Sequence, residues 1–327
     1  MNEAPASMME VAALAKRRRK MKEAGIALVF ASVVLLGMAY MGHRVTKEEM
    51  LEQEVPVAVS SSRAFADIAL RAKAAIVYDL TTGETLYEHN ADAQLPLASL
   101  TKLLTVYAGQ SVLSENSLVP ITDTALSAEG DNGFSVGDTF TFKDAAALAL
   151  VASSNDAASA IEEAARTRKS NEDFLLAAAA SAGLSQTYAV NGTGLDENEE
   201  VSGGYGSARD VALLSGALLA VAPDIARLST KSSISVATTN GKTITVENTN
   251  EDMVRLPNVL LSKTGFTDLA GGNLVIVFDA GIGHPIAVAV LGSTREGRFT
   301  DVARLTAATL RSFAPASLPV PLEADAR

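Results

Sequence analysis

Residues 74 to 90 read AAIVYDLTTGETLYEHN, and this stretch contains two short runs of β-forming residues. The runs, Ala75 to Leu80 and Thr85 to His89, lie on either side of Thr81-Thr82-Gly83, which predicts a β-hairpin. Most of the remaining strand patterns follow a long alanine-rich region. The hairpin is therefore expected to join strands from the far end of the domain.

Between these two ends the sequence has helical periodicity. Helices are predicted over Leu100 to Gly109, Asp144 to Ala165, Glu172 to Ala182, and Ala208 to Ala220. Strands are predicted over Ser233 to Ala237, Lys242 to Glu247, Val259 to Lys263, Asn273 to Phe278 and Ile286 to Leu291, before a last helix over Arg298 to Phe313. This order predicts an α/β (α+β) fold, in which one antiparallel sheet is flanked by helices and has a helical lobe inserted in its sequence.

The composition excludes several classes of protein. The chain has 327 residues, of which 48% are hydrophobic and 20% charged, as in a folded protein of enzyme size. It has no cysteine, which excludes thiol nucleophiles, disulfide scaffolds and cysteine-held metal clusters. Its histidines, His43, His89 and His284, lie far apart, so no histidine-rich metal site is expected. The net charge of −11 repels nucleic acid phosphates, so no nucleic-acid partner is expected.

The first 67 residues have the pattern of a membrane anchor and spacer. Residues 1–24 are a basic leader with six basic and three acidic side chains. Residues 25–42 (GIALVFASVVLLGMAYMG) are uncharged and would span about 27 Å as a helix. The leader predicts a cytosolic amino terminus, a single transmembrane helix and an exported domain. Residues 43–67 are expected to be a stalk, residues 68–314 the catalytic domain and residues 315–327 a short tail.

Two other interpretations of the apolar run stay open. A cleaved signal peptide has a similar pattern, and Gly37-Met38-Ala39 loosely resembles a small-x-small cleavage site. The long leader and the bulky Tyr40 favour an uncleaved anchor. A buried core helix is disfavoured, because the run lacks the polar face of a packed surface helix.

The first of three short motifs is Ser99-Leu100-Thr101-Lys102, at the start of a predicted helix. Residues three apart lie on one helix face, so the Lys102 amine is expected beside the Ser99 hydroxyl. A lysine can take the proton of a serine nucleophile if burial, or a cation such as Lys263, lowers its pKa. Alone the motif is weak evidence, since a serine that caps the helix gives the same pattern.

The second and third motifs occur later in the chain. Ser153-Ser154-Asn155 interrupts apolar helical sequence, where buried polar groups need partners; the alternative is an inter-helix turn capped by Asp156. Lys263-Thr264-Gly265 follows an apolar strand, where a cation and a hydroxyl suit a carboxylate and the glycine makes room for a ligand backbone. A strand that simply ends in a loop is the alternative there.

Together the three motifs are far more specific than any one of them. They occur in the order SxxK, SxN, KTG, with their first residues 54 and 110 positions apart. This trio resembles that of the serine D-alanyl-D-alanine carboxypeptidases, the low-molecular-mass penicillin-binding proteins of the DD-peptidase/β-lactamase superfamily. The similarity covers roughly residues 72–310 and includes GDTFTFKDAAALALVASSNDAA and KTGFTDLAGGNLV.

The resemblance implies a reaction and catalytic roles. Ser99 would attack the carbonyl between two D-alanines of a peptidoglycan stem peptide, the terminal D-alanine would leave, and water would hydrolyse the ester. Lys102 would be the base. Ser153 and Asn155 would relay protons and hold the substrate amide.

The same resemblance implies how the substrate is bound. The expected substrate-binding residues are Lys263, Thr264, Gly265, Phe266 and Arg209. Lys263, Thr264 and Arg209 would bind the terminal carboxylate, and the N–H groups of Ser99 and Phe266 would form an oxyanion hole. No cofactor or metal is expected. The expected partners are peptidoglycan stem peptides, β-lactam antibiotics as covalent inhibitors, and the bacterial cell membrane, with the catalytic domain outside the cytoplasm.

Three alternative functions remain. A DD-endopeptidase that cuts peptidoglycan cross-links would use the same residues. A class A β-lactamase would need an E-x-x-L-N loop, which neither Glu162-Glu163 nor DENEE at 196–200 supplies. A catalytically dead cell-wall binding protein would retain the fold, although none of the three motifs is broken.

The chain departs from relatives in two features. It has Asn191-Gly192-Thr193-Gly194-Leu195 where they often have N-P-x-G-L, so the shape of a loop beside the cleft is open. It has a short tail where many have a domain and an amphipathic segment for membrane attachment, and the amino-terminal helix is expected to replace these.

Overall fold

The computed structural model describes residues 64–130, 133–169, 173–252, 256 and 258–313. The predicted leader, the apolar run of residues 25–42, most of the stalk and the tail lie outside these residues. In the part of the chain that is described, no helix is both long and apolar enough to cross a lipid bilayer.

The predicted strands and helices occur in the predicted order, and the described part of the chain has in addition five short strands and one short helix that were not predicted. In chain order they are β1 (Ala74–Asp79), β2 (Thr85–His89), β3 (Leu95–Pro96), α1 (Thr101–Gln110), β4 (Leu118–Pro120), β5 (Thr139–Thr141), α2 (Phe142–Val151), α3 (Asn155–Lys169), α4 (Phe174–Ser181), β6 (Tyr188–Ala189), β7 (Gly204–Gly206), α5 (Ala208–Val221), α6 (Pro223–Leu228), β8 (Ser233–Ala237), β9 (Thr243–Glu247), β10 (Val259–Thr267), β11 (Gly271–Asp279), β12 (Pro285–Ser293) and α7 (Gly297–Phe313).

A five-stranded antiparallel sheet in the order β10-β11-β12-β1-β2 is the centre of the domain. β1 pairs with β12, with Ala74 opposite Leu291, so the first hairpin joins strands from the far end of the domain as predicted. β10 and β2 are the two edges. The predicted turn after β1 is confirmed, and its Gly83 has a φ of +76°, which glycine adopts without strain.

Both faces of this sheet are buried, because helices cover each side. On β1, Ala74 and Ile76 pack into the helical lobe, whereas Ala75 and Val77 pack into the core that α7 completes. β11 and β12 alternate in the same way, which explains why their sequences are continuously apolar. Burying one such valine or isoleucine contributes about 1.5 to 3 kcal/mol.

The inserted lobe is built around α1, α2 and α3, which pack against one another. Side chains such as Leu103, Phe142 and Ile161 are fully buried between them. α2 begins at a threonine cap, where the Thr141 hydroxyl accepts the Asp144 N–H at 3.1 Å. A cap of this kind contributes roughly 1 kcal/mol, so the start of α2 is fixed locally.

The helix predicted over Asp144 to Ala165 is in fact two helices, α2 and α3. Ser153 has a φ of +59°, which a right-handed helix cannot continue through. The Ser154 hydroxyl then accepts the Ala157 N–H at 3.2 Å, so the capping side chain is Ser154 and not Asp156. The break places the SxN motif in a turn between two helices.

The strand predicted to end at Lys263 continues to Thr267. Its pairing with β11 runs as far as Thr267 opposite Gly271, so the KTG motif lies within β10 and not at its end. The strands predicted over Ser233 to Ala237 and Lys242 to Glu247 are confirmed as β8 and β9, which pair with each other in a separate two-stranded sheet.

Candidate active site

The Ser99 hydroxyl and the Lys102 amine are in hydrogen-bond contact. Ser99 lies in a 3-10 turn, Ala98–Leu100, that leads directly into α1, so Lys102 follows on the same face. Lys102 Nζ is 2.8 Å from Ser99 Oγ. The N-cap positions of the turn and of α1 are Leu97 and Leu100, so Ser99 is not the helix cap of the alternative interpretation.

Asn273 holds the turn that carries Ser99 (Ala98–Leu100, the serine turn) against the sheet, and the sequence analysis missed this asparagine. The residue before the serine, Ala98, has a φ of +49°, which costs an alanine roughly 1 to 2 kcal/mol. Asn273 Nδ2 donates to Pro96 O and to Leu97 O, both at 3.0 Å, and Asn273 is fully buried. Its signal in the sequence is a lone amide within an apolar strand.

The Lys102 amine is buried among oxygen atoms. Lys102 is 0% exposed, and its Nζ is 2.7 Å from Asn155 Oδ1 and 2.7 Å from the Thr193 carbonyl oxygen. Burial lowers the pKa of Lys102 to about 7, because the charged form loses its hydration. Near neutral pH about half of the Lys102 side chains are therefore uncharged.

The hydrogen bonds around Lys102 suit the neutral amine. A neutral amine has two N–H donors and one lone pair. Asn155 Oδ1 and the Thr193 carbonyl can only accept, so they take both donors. In the charged amine the third N–H donates to Ser99 Oγ at 2.8 Å, and in the neutral amine the lone pair takes that place and can accept the hydroxyl proton. This is the arrangement that a general base requires.

A second buried lysine, Lys263, lies on β10 and reaches the SxN motif. Lys263 Nζ donates to Ser153 Oγ at 2.8 Å and to the Thr264 carbonyl at 2.9 Å. Both acceptors are neutral, and Lys263 is 1% exposed. Lys102 and Lys263 therefore reach Asn155 and Ser153 of the same inter-helix turn, and the three predicted motifs meet.

The two lysines affect each other, but not in the way that the sequence predicted. Lys263 was the cation expected to lower the pKa of Lys102, whereas burial is the cause found for Lys102. For Lys263, burial again comes first, and the charges of Lys102 and Arg298 lower its pKa further. An anion bound beside Lys263 would supply the missing counter-charge.

Gly265 lets β10 touch the serine turn. A Cβ at Gly265 would lie 2.9 Å from Leu97 O and 3.3 Å from Leu100 N, closer than ordinary contacts allow. The room predicted for a ligand backbone at this glycine is thus occupied by the protein's own chain. Beside it, the Thr264 hydroxyl is 2.6 Å from that of Thr249, a partner with no signal in the sequence.

Two arginines from the start of α7 and the loop before it support this end of β10. Arg298, which is 7% exposed, donates from Nη1 to Gly265 O at 2.7 Å. The guanidinium of Arg295 lies 3.8 Å from the centre of the Phe266 ring, a cation–π contact. Neither contact could be inferred from the local sequence, because both join residues about 30 positions apart.

The structure does not bring Arg209 to this cluster. Its guanidinium binds Asp92 and Glu88, each at 2.7 Å, and the Thr85 hydroxyl at 2.9 Å. Thr85 and Glu88 belong to β2, the edge of the sheet opposite β10. Four strand spacings of about 4.8 Å separate these edges by roughly 19 Å. The prediction that Arg209 binds the substrate carboxylate is therefore corrected.

A large open cavity of about 1100 Å³ lies beside the cluster. Asn155, Thr193 and Phe266 form part of its wall, so the cavity is continuous with the groups around Lys102. Its wall also includes five carboxylates: Glu129, Asp196, Glu197, Glu199 and Asp268. Within the described ranges, no group of three or more His, Asp or Glu side chains is placed to hold a metal ion.

Comparisons of the chain with known proteins point to one family of peptidases. Residues 58–294 match the family described as D-alanyl-D-alanine carboxypeptidase. The D-alanyl-D-alanine carboxypeptidase DacF of Bacillus subtilis is 29% identical over 248 residues, or 73% of this chain and 62% of that protein. A D-alanyl-D-alanine endopeptidase of Escherichia coli is 31% identical over 241 residues, or 71% of this chain and 74% of that protein. The chain thus spans less than two thirds of the Bacillus protein.

The fold is shared with solved structures of penicillin-binding proteins. The crystal structure of a penicillin-binding protein from Listeria monocytogenes in its ampicillin-bound form is 28% identical, with a TM-score of 0.61 over 74% of this chain and 98% of that one. This likeness confirms the predicted DD-peptidase type of fold. The family match covers most of the chain and contains all three motifs that meet around Lys102, and the chain therefore belongs to the D-alanyl-D-alanine carboxypeptidase family of serine peptidases.

Proposed function

We propose that the protein removes the terminal D-alanine of peptidoglycan stem peptides through a serine acyl-enzyme. The observation that carries this proposal is the 2.8 Å contact between Ser99 Oγ and the Lys102 amine, which is buried and has a pKa of about 7. A weak nucleophile and a base that is neutral at working pH lie side by side. The family, and the carboxypeptidases among the relatives, support the choice of substrate.

In acylation, neutral Lys102 takes the Ser99 proton while Oγ attacks the carbonyl carbon between the two D-alanines. A C–O bond forms and the carbonyl oxygen becomes an oxyanion, with the N–H groups of Ser99 and Phe266 as proposed donors. Two features support these donors: β10 is an edge strand, and Gly265 lies directly against the serine turn.

The tetrahedral intermediate then collapses by breaking the C–N bond. The leaving D-alanine amine needs a proton, which Lys102 holds and the Ser153 hydroxyl relays. Ser153 is suited to the relay because Lys263 holds its oxygen at 2.8 Å. Asn155, which already contacts Lys102, is proposed to bind the substrate amide. Water then attacks the ester, with Lys102 again as the base, and Ser99 is released.

Lys263 and Thr264 are the proposed ligands of the substrate's terminal carboxylate. Among the described residues, the hydrogen-bond partners of Lys263 are two neutral oxygens, although this lysine is almost fully buried. A carboxylate would raise the pKa of Lys263 and form a charge-assisted hydrogen bond with it. With Arg209 at the other edge of the sheet, Arg298 behind Gly265 is the further positive charge that favours an anion here.

Intact-mass spectrometry with penicillin tests the nucleophile. The purified chain should gain the mass of one penicillin molecule, since a β-lactam presents a strained amide to the same hydroxyl. Ser99→Ala should gain none. Ser111→Ala is a matched control, because the Ser111 hydroxyl only donates to the Ala108 carbonyl at the end of α1. Equal labelling of wild type and Ser99→Ala would remove Ser99 from the mechanism.

A DD-endopeptidase is the second candidate function. Two observations favour it: one relative at 31% identity is an endopeptidase, and the open cavity of about 1100 Å³ could hold a second peptide strand. The proposed binding of a free terminal carboxylate by Lys263 and Thr264 favours the carboxypeptidase function over the endopeptidase function. D-alanine release from a pentapeptide, compared with cleavage of cross-linked muropeptides, separates the two functions.

The membrane anchoring and topology of the enzyme are proposed from the sequence alone. The basic leader and the apolar run of residues 25–42 support a single-pass anchor in the bacterial cell membrane, with the catalytic domain outside the cytoplasm. The ampicillin-bound relative supports β-lactam antibiotics as covalent inhibitors. Protease treatment of intact spheroplasts tests the topology, since an exported domain is degraded and a cytosolic one is protected.

A further inference from the structure

Both backbone polar groups of Gly192, the residue before Thr193, are hydrogen-bonded to side chains. Its carbonyl, Gly192 O, accepts the Thr105 hydroxyl at 2.7 Å. The Gly192 N–H donates to Glu162 Oε2, also at 2.7 Å. The carbonyl of the next residue, Thr193, is the one that contacts the Lys102 amine at 2.7 Å. The groups that hold Gly192 therefore also set the position of a direct partner of Lys102.

The two helices of the site, α1 and α3, each contribute one side chain that hydrogen-bonds to Gly192. On α1, Thr105 follows Lys102 by three residues, and on α3, Glu162 follows Asn155 by seven, which is about two turns. Each pair lies on one helix face. The residues that contact the Lys102 amine and the residues that hold the loop are consequently carried by the same two helices, which pack against each other.

Glu162 is itself held in place. Arg166, one turn later on α3, donates to Glu162 Oε1 from Nε at 2.9 Å and from Nη2 at 2.8 Å. The Glu162 side chain is 15% exposed. With Oε1 occupied by the arginine, Oε2 points to the Gly192 N–H.

Gly192 is the residue type that this arrangement requires. A Cβ at this position would lie 2.5 Å from Glu162 Oε2 and 3.1 Å from Thr105 Oγ1. Proline, which relatives often have here, has no N–H to donate, and its ring restricts the backbone by itself. In this chain the hydrogen bond from the Gly192 N–H to the Glu162 carboxylate restricts the backbone instead.

We propose that Glu162 is a positioning residue for acyl transfer, which fixes the Thr193 carbonyl against the Lys102 amine through the Gly192 N–H. This inference rests on the proposed function for the role of Lys102, whereas the positioning itself is a property of the free protein. Glu162 touches neither Lys102 nor Ser99 in the hydrogen bonds described above.

Charged groups that face Lys102 come from several elements. Lys263 on β10 lies close enough for their charges to interact, and Arg298 on α7 acts on Lys263. Glu162 and Arg166 on α3 neutralise each other as an ion pair. Glu162→Gln removes one negative charge and leaves Arg166 positive, which by itself would lower the pKa of Lys102, whereas water that reaches the amine past a displaced loop would raise it. A rise in that pKa therefore reports the loop and not the lost charge.

The test compares Glu162→Gln with Glu163→Gln. A glutamine at position 162 has an oxygen at only one of the two carboxylate oxygen positions and an NH₂ donor at the other, so either the Gly192 N–H or Arg166 loses this acceptor. Acylation by penicillin should fall on the order of tenfold. The midpoint of the Lys102 titration, followed by NMR of lysine labelled with ¹³C at Cε, should rise as water reaches the amine. Glu163→Gln should leave both within error, since Glu163 contacts Thr122 instead.

The titration needs no substrate, so it separates this inference from the proposed function. If wild type is not acylated at Ser99, the proposed function fails, and the NMR comparison still decides whether Glu162 positions the loop. An unchanged Lys102 midpoint in Glu162→Gln, or an equal shift in Glu163→Gln, would overturn the inference.

A second pair of variants tests the inference independently of whether Glu162→Gln folds normally. Gly192→Pro alone removes the N–H and places ring atoms against Glu162, so acylation should fall. Glu162→Ala combined with Gly192→Pro removes the clash, and there is no N–H at position 192 that needs the carboxylate, so acylation should recover relative to Gly192→Pro. Losses that simply add would show that the two positions act independently, which contradicts the inference.

Discussion

The rate of acylation should depend on pH through a single group with a pKa of about 7, because burial brings Lys102 to that value. The neutral fraction of such an amine is about 0.9 at pH 8, about 0.5 at pH 7 and about 0.01 at pH 5. Acylation should therefore slow about ninetyfold from pH 8 to pH 5 and level off above pH 8. An exposed lysine, with its ordinary pKa near 10.4, would show no plateau below pH 10.

Stopped-flow measurement with a fluorescent penicillin gives the second-order rate constant from pH 5 to pH 9. Lys102→Arg keeps a positive charge but cannot lose its proton, so acylation should fall by about 10² to 10⁴. Circular dichroism checks that this variant is folded. Lys143→Arg is a matched control, because Lys143 lies in an ion pair with Glu115 at 2.9 Å on the surface.

Two results would refute this reasoning. A rate that rises tenfold per pH unit through pH 9 would show that Lys102 keeps an ordinary pKa. A rate in Lys102→Arg within tenfold of wild type would show that another group is the base.

Four further predictions concern stability and the geometry of the site. Because the pKa of Lys102 is lower in the folded chain, the unfolded chain binds more protons between about pH 7 and 10.5, so stability should rise with pH over that range; urea unfolding of Lys102→Met should show a flatter profile. Asn273→Ala removes the Nδ2 donor from the half-buried Pro96 carbonyl and from the Leu97 carbonyl, which keeps the Leu100 N–H, and it removes the Oδ1 acceptor of the Gly292 N–H. We expect a loss of about 2 to 4 kcal/mol with slower acylation, measured by urea unfolding and penicillin labelling. Gly265→Ala should block acylation, because its Cβ would lie 2.9 Å from Leu97 O. Arg209→Ala, at the far edge of the sheet, should keep the wild-type acylation rate within twofold.

The prediction for Asn273 fails if the variant unfolds at the wild-type urea concentration, since that would mean that the serine turn is held elsewhere. For Gly265, normal labelling of the alanine variant would show that β10 and the serine turn can separate at little cost. For Arg209, a large rise in KM for the pentapeptide would restore it as a carboxylate ligand.

The contacts within one helix or one hairpin could be predicted from the sequence. Ser99 and Lys102 are three residues apart, and helical geometry alone brings their side chains together, which the 2.8 Å contact confirms. The β1-β2 hairpin likewise follows from its own turn and alternating residues. In each case the residues that interact are neighbours in sequence, so periodicity carries the information.

The partners that come from distant segments were decided by the tertiary structure. The Thr193 carbonyl reaches Lys102 from 91 positions away, and Asn273 reaches Pro96 from 177 positions away. No local pattern encodes such pairs, because they depend on how the sheet edge and the helices pack. Arg209 shows the same limit, since nothing near it in sequence reveals that it faces β2 and not β10.

The sequence by itself determined the three motifs, the elements that carry them and the antiparallel sheet formed by both ends of the domain, because hydrophobic periodicity and turn residues act over short distances. Only the tertiary structure decided the protonation of Lys102. Its pKa depends on how completely packing removes water from around the amine, and that packing is the sum of contacts from α1, α3 and the loop at Thr193.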